Sequence, residues 1–97
     1  MKSTTTYVPE ITKEKLSGLH FPPEEVLPLG EQQLERKRLL KRALDFGNYA
    51  HYKIAILFED SVGMKRVETT VWDLDDENVY LKDGIFIPLR RILEVHL

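Results

Sequence analysis

Cysteine is absent from the 97-residue chain, which removes disulfides, thiolate metal sites and cysteine nucleophiles together. No run approaches the roughly 20 apolar residues that span a bilayer. The opening Met1-Lys2-Ser3-Thr4-Thr5-Thr6 leads into no apolar segment of the secretory kind. Net charge is also scarce: 14 Lys and Arg against 16 Asp and Glu leave a formal −2, so nucleic acid would need a local basic patch. Gly-rich phosphate loops, nucleophile elbows and HExxH motifs are missing. Neither Ser61 nor Thr70 has an assignable base and orienting group, so no enzyme and no cofactor are expected. These absences describe a soluble, cytoplasmic protein with no membrane partner.

A hydrophobic content of 42% suffices for one folded domain of this length. Residues 1–30 read as an N-terminal arm that carries four of the five prolines. Met1 to Thr6 is expected to be disordered. Pro9 to Gly18 reads as a short helix, with Pro at its start and Gly past its end. Leu19 to Pro23 and Val26 to Leu29 look extended, with Pro23 placed to open one helical turn between them, and the arm carries enough Leu, Phe and Val to dock, on its own barrel, a neighbouring subunit or a protein partner.

Residues 31–97 read as one domain, a helix followed by a five-stranded small barrel. In the helix, 31–46, Leu39, Leu40, Ala43, Leu44 and Phe46 share one side, and Gly47-Asn48 is a stop signal. Lys37, Arg38, Lys41 and Arg42 share the other side, while Arg36 lies near the apolar stripe and is expected to snorkel along it. The strands are Ile54 to Phe58, a long Met64 to Trp72, Val79 to Lys82, Ile85 to Ile87 and Ile92 to Leu97. A long second strand can bend to serve both layers of a small barrel. Asp83-Gly84 fits a two-residue type I′ turn, and Pro88 ends its strand. The expected core is Leu40, Ala43, Leu44, Ile54, Ile56, Phe58, Val67, Val71, Val79, Leu81, Ile85, Ile87, Ile92, Leu93 and Val95.

A helix followed by five strands, the second long, resembles the Sm-like fold in its bacterial Hfq-like branch. Ile54 to Phe58 falls on the first strand of that fold, Val79-Tyr80-Leu81-Lys82-Asp83 on the third, and Ile87 to Val95 on the closing pair. The resemblance covers roughly residues 31–97 and implies rings that bind single-stranded RNA near the third-strand turn and the closing pair. Thr69 stands where Sm strands usually carry Gly, and Arg90-Arg91 stands near the place of a Lys-His pair. Asn78 falls where a base-contacting Asn can occur, among Asp75, Asp76 and Glu77. The chain is also similar to a group of short bacterial proteins sharing Val67-Glu68-Thr69-Thr70-Val71-Trp72 and Ile87-Pro88-x-x-Arg91-Ile92. An SH3-like barrel satisfies the same strand pattern.

The candidate nucleic-acid contacts are Arg90, Arg91 and Lys82 in the barrel and Lys37, Arg38, Lys41 and Arg42 on the helix. Arginine forks bind phosphate and stack on bases, and an exposed Tyr80, Phe86 or Trp72 beside them would supply stacking. The competing reading pairs the two arginines with Glu94, Glu68 or Asp83 across strands and leaves the helix cations as a solvated face. Aromatics at strand spacing are read first as core, with Tyr49 and Tyr52 closing the barrel end. Asp73, Asp75, Asp76 and Glu77 form a solvated turn, lacking the ligand alternation of a calcium loop. His20, His51 and His96 have no zinc spacing. Two functions follow: a single-stranded RNA-binding module, or a protein-interaction or assembly module. Unpaired barrel edges add the expectation of a homo-oligomer.

Overall fold

A computed structural model describes residues 7–97; the disorder expected for Met1 to Thr6 lies outside the described residues. Among the described residues seven strands form two sheets. The first sheet is built on the hairpin of β2 (Ile54–Glu59) and β3 (Met64–Thr69), paired from Ile54↔Thr69 to Glu59↔Met64. β7 (Ile92–His96) runs antiparallel along the other side of β2. β1 (Glu10–Ile11) adds parallel to the outer side of β3. The second sheet has the order β4 (Val71–Leu74), β5 (Asn78–Leu81) and β6 (Phe86–Pro88).

The expected long second strand does serve both layers: β3 ends at Thr69 in one sheet and β4 begins at Val71 in the other. The chain crosses back at a 3-10 turn, Leu89–Arg91, between β6 and β7. Among the described residues the ladders remain two separate sheets and do not close. Asp83 (φ 68°) and Gly84 (φ 74°) do have positive φ, but the pairing Tyr80↔Phe86 and the Leu81 N–H bond to the Ile85 carbonyl make the connection three residues, Lys82–Gly84, and not the expected two.

The helix α1 runs over Gly30–Ala50, four residues past the predicted end. Gly47 is therefore not a stop. It is buried within the helix, where any β-carbon would collide with the Val71 carbonyl oxygen; the glycine lets α1 lie directly on β4. The helix ends at His51, which adopts the left-handed conformation (φ 52°, ψ 38°) and donates its N–H to the Gly47 carbonyl. Packing against both β4 and β7, α1 bridges the two sheets.

The core contains twelve of the fifteen expected residues, and adds Leu16, Ala55 and Leu89. Leu44 and Ile85 are half-buried against it, and Leu93 is half-buried at the edge strand. Leu16 comes from the arm, where Pro9 to Gly18 forms β1 and a 3-10 helix, Lys13–Gly18, in place of the predicted helix. With only Ile11 and Leu16 apolar, that stretch lacks the stripe needed to hold an α-helix against a core.

Arg36 corrects the reading of a snorkelling side chain. It is buried, gripping both carboxylate oxygens of Glu25 (2.7 and 2.8 Å) and donating to the Ile92 carbonyl (3.0 Å). Asp60 is buried in the β2–β3 turn, accepting from the Val62 and Gly63 amides and pairing with Lys65 at 2.8 Å.

Candidate interaction surface

The seven cations singled out by sequence do not gather into one patch. Arg91 is buried: its Nε donates to the Glu59 carbonyl (2.9 Å), Nη1 to the Glu24 carbonyl (2.8 Å) and Nη2 to the Glu59 carboxylate (3.2 Å). Arg90 is half-buried; its Nε donates to the Pro22 carbonyl (3.1 Å), and its own carbonyl accepts from Val26 N–H (2.8 Å). Their partners are thus Glu59 and the arm, where cross-strand pairing with Glu94, Glu68 or Asp83 was expected. Lys37 pairs with Asp76, and Arg38 holds Glu35 through two hydrogen bonds (2.9 and 2.6 Å). The Arg42 guanidinium lies 5.8 Å from the centre of the Phe46 ring. Lys41 and Lys82 are exposed. Lys37 and Arg90 line one depression, in company with Glu25, Asp76 and Glu77.

Exposed aromatic area is concentrated elsewhere. Along β4, Val71 points inward and Leu74 packs on the core, while Trp72 and Asp73 between them are exposed. The register shifts here: Val71 faces Leu81 and Asp73 faces Tyr80, so Trp72 is the extra residue of a bulge. The expectation of a core tryptophan is thereby corrected: Trp72 follows inward-facing Val71 and its indole is 51% exposed, and the bulge leaves the next residue, Asp73, exposed as well. Tyr80 on β5 and Phe86 on β6 share the outer face of this sheet, directly opposite one another with ring centres 6.1 Å apart. Each strand of the second sheet therefore contributes one aromatic to its outer face.

This surface meets the end of α1. Trp72 shares a depression with Gly47, Asn48 and His51, and the next depression is lined by Phe46, Tyr49, Ala50 and Tyr52. Tyr49 is 92% exposed and Tyr52 half-exposed, with the Tyr52 ring edge-on to Phe46 at 5.6 Å. The two tyrosines thus do not close a barrel end as expected. The helix runs four residues longer than its apolar stripe, and Tyr49 on that extension is exposed.

Charge around the aromatics is divided. On one side of Trp72 lies a depression of about 580 Å³ of mixed charge, with Lys13, Lys53 and Lys82 set against Glu10, Glu14 and Glu68. On the Tyr80 side stand Asp73 and Asp75. The Tyr80 hydroxyl donates to Asp75 (2.7 Å) and accepts from the Asn78 amide (3.4 Å). The Asn78 contact lowers the phenol pKa, but the Asp75 hydrogen bond, burial and the nearby carboxylate charges outweigh it and raise the phenol above its ordinary value. Asp75 is held below the usual carboxylate range by the Tyr80 hydroxyl and by the Asn78 and Glu77 amides. Its oxygens are thus used within the turn, as a backbone-capping aspartate.

Sequence reasoning named Trp72, Tyr80 and Phe86 as stacking groups should they be exposed, but read aromatics at strand spacing first as core; the position of Trp72 next to inward-facing Val71 was the signal for an outward indole. Among the described residues no group of His, Asp and Glu is arranged to hold a metal ion, and no helix is long and apolar enough to cross a membrane. No protein-family model, curated protein or solved structure matches the chain, so the surface rests on its geometry alone.

Proposed function

We propose that the chain is a binding module that works through protein contacts, with Trp72 at the centre of its working surface. The observation that carries this reading is the contrast in exposure between Trp72, Phe86, Tyr49 and Tyr52 on one hand and Arg91 on the other. Aromatic anchors surrounded by polar groups are the usual energetic centre of a protein interface. The two sheets, joined at Thr70 and at Leu89–Arg91, are read as the halves of a five-stranded small barrel of Sm-like or SH3-like type. Self-association through the short outer edge of β6 is a separate proposal, tested by light scattering over a concentration series.

A photo-crosslinking residue at position 72, compared with the same residue at exposed Asp45, tests the protein reading. A discrete protein adduct specific to position 72 is expected. Adducts of equal yield at both positions, or adducts to RNA alone, would overturn it.

A second reading, single-stranded RNA binding, is favoured by one observation: exposed Trp72 lies beside Lys53 and Lys82, in a depression whose lining also carries Glu10, Glu14 and Glu68. Fluorescence anisotropy with short single-stranded RNAs at two salt concentrations separates the two. Affinity that falls steeply with salt, and again on Lys82→Glu, would support RNA over protein.

A further inference from the structure

We propose that the groove between α1 and β7 is a docking site for an extended cationic peptide, which adds to β7 as one more strand. Among the described residues β7 is the last strand of its sheet and pairs with β2 alone. Arg36 occupies the start of its outer edge by bonding the Ile92 carbonyl. Beyond that point, Leu93 to His96 have no strand on the outer side among the described residues. The same four residues form one wall of a depression of about 570 Å³, and α1 forms the other.

The chemistry of this groove selects its occupant. Its floor is apolar, with Leu27, Leu39 and Leu93 all half-buried. Its rim is acidic, with Glu31, Glu35 and Glu94 all exposed. The arginine that reaches the groove, Arg36, is already neutralised by Glu25. Glu35 is shared with Arg38 and Glu94 lies 2.7 Å from the His96 ring, whereas Glu31 has no ion pair among the described residues. An added strand lies about 4.8 Å from β7, with alternate side chains on opposite faces. One set would pack on the leucine floor; the other would stand among the glutamates and must be Lys or Arg. Main-chain hydrogen bonds would supply affinity and the alternation specificity.

A second copy of the chain is a poorer occupant. Two β7 strands paired about a two-fold axis would bring one set of Glu31, Glu35 and Glu94 against another, and like charges across strands repel.

The test uses the full chain and three fluorescein-labelled hexapeptides: alternating Val and Lys, alternating Val and Glu, and the Val–Lys peptide N-methylated at alternate residues. The Val–Lys peptide should bind and shift the backbone NMR signals of Leu93 to His96. The other two should bind at least about tenfold more weakly, as should the Val–Lys peptide to the protein carrying Glu31→Lys and Glu94→Lys. Both glutamates are exposed, and the N-methylated peptide tests strand addition without altering the protein. No binding of the Val–Lys peptide, equal affinity for all three, or shifts confined to other strands would overturn the proposal. So would a dimer in sedimentation that Glu94→Lys abolishes. The aromatic surface lies on the other sheet, so the failure of either reading leaves the other standing.

Discussion

From Ile54 to His96 the chain holds itself together by strand ladders around a shared core. From Tyr7 to Leu29 it makes one two-residue pairing, buries Leu16, rests Ile11, Leu19 and Phe21 against the core, and is otherwise tied down by groups sent from α1 and the strands. Arg91 reaches the Glu24 carbonyl, Arg90 the Pro22 carbonyl, Arg36 the Glu25 carboxylate, and Phe58 packs against Phe21 at 5.9 Å. The difference follows from composition. Prolines remove donors from the arm while leaving its carbonyls in place, and a docked carbonyl must still find a partner. Arginine, with five N–H donors and no acceptor, meets that need. Three arginines act as the arm's clasp, which a basic sequence motif alone would assign to an external phosphate.

The largest expected effect comes where the two regions share a residue. Phe58 is fully buried on β2 and also seats Phe21 of the arm. Phe58→Ala should cost about 4 kcal/mol, seen as a lower urea midpoint, and should loosen arm and strands together. Arg91→Ala is the more discriminating change. It removes three hydrogen bonds and should cost about 2–3 kcal/mol. Amide exchange should quicken at Ser61 and Val26, whose N–H groups bond the His20 and Arg90 carbonyls, more than in the β2–β3 ladder. Equal loss of protection in both places would show that arm and strands open as a single unit, and the comparison would fail.

Much of the strand half was legible because each strand states its own register. Ile54, Ile56 and Phe58 alternate as a buried face requires, and Asp83-Gly84 supplies the positive φ values of the turn after β5. Gly47 misled because a helix-stop glycine and a close-approach glycine look alike in sequence; the carbonyl of Val71 that distinguishes them arrives from 24 residues away. Trp72 misled for another reason: its large apolar area argues for burial, whereas its place next to inward-facing Val71 puts the indole outside. The arm was least legible. Its contacts lie 67 and 68 residues away at Arg91 and Arg90, and no local period encodes them.

Acid should probe both regions at once. The Arg36 hydrogen bonds hold the Glu25 carboxyl below its ordinary range, against the opposing effect of burial. In the strand half burial pushes Asp60 up, but Lys65 and the Gly63 and Val62 amides prevail and its pKa is also lowered. A depressed folded-state pKa stabilises the fold above the unfolded value, and that stability is lost as pH falls through the folded one. The urea midpoint should therefore be steady from pH 7 to about 5 and decline below about 4. Glu25→Gln should remove the arm's share of the decline and leave that of Asp60. A midpoint unchanged down to pH 2 would mean that neither carboxylate contributes.

The smallest effect is expected at Arg38, two residues from Arg36 on the same helix. Arg36 turns inward and ties the arm to β7, whereas Arg38 faces solvent and grips Glu35 one helical turn before it. Exposed pairs of that kind exchange one set of solvated partners for another and are screened by salt. Arg38→Ala should leave the urea midpoint and the amide exchange of Val26 within experimental error. A clear loss of protection at Val26 would show that the helix surface, and not the buried clasp alone, holds the arm. Position on the helix, rather than residue type, then decides which arginine matters: the two have identical chemistry, and only the one facing β7 is buried and meets both a carboxylate and a backbone carbonyl.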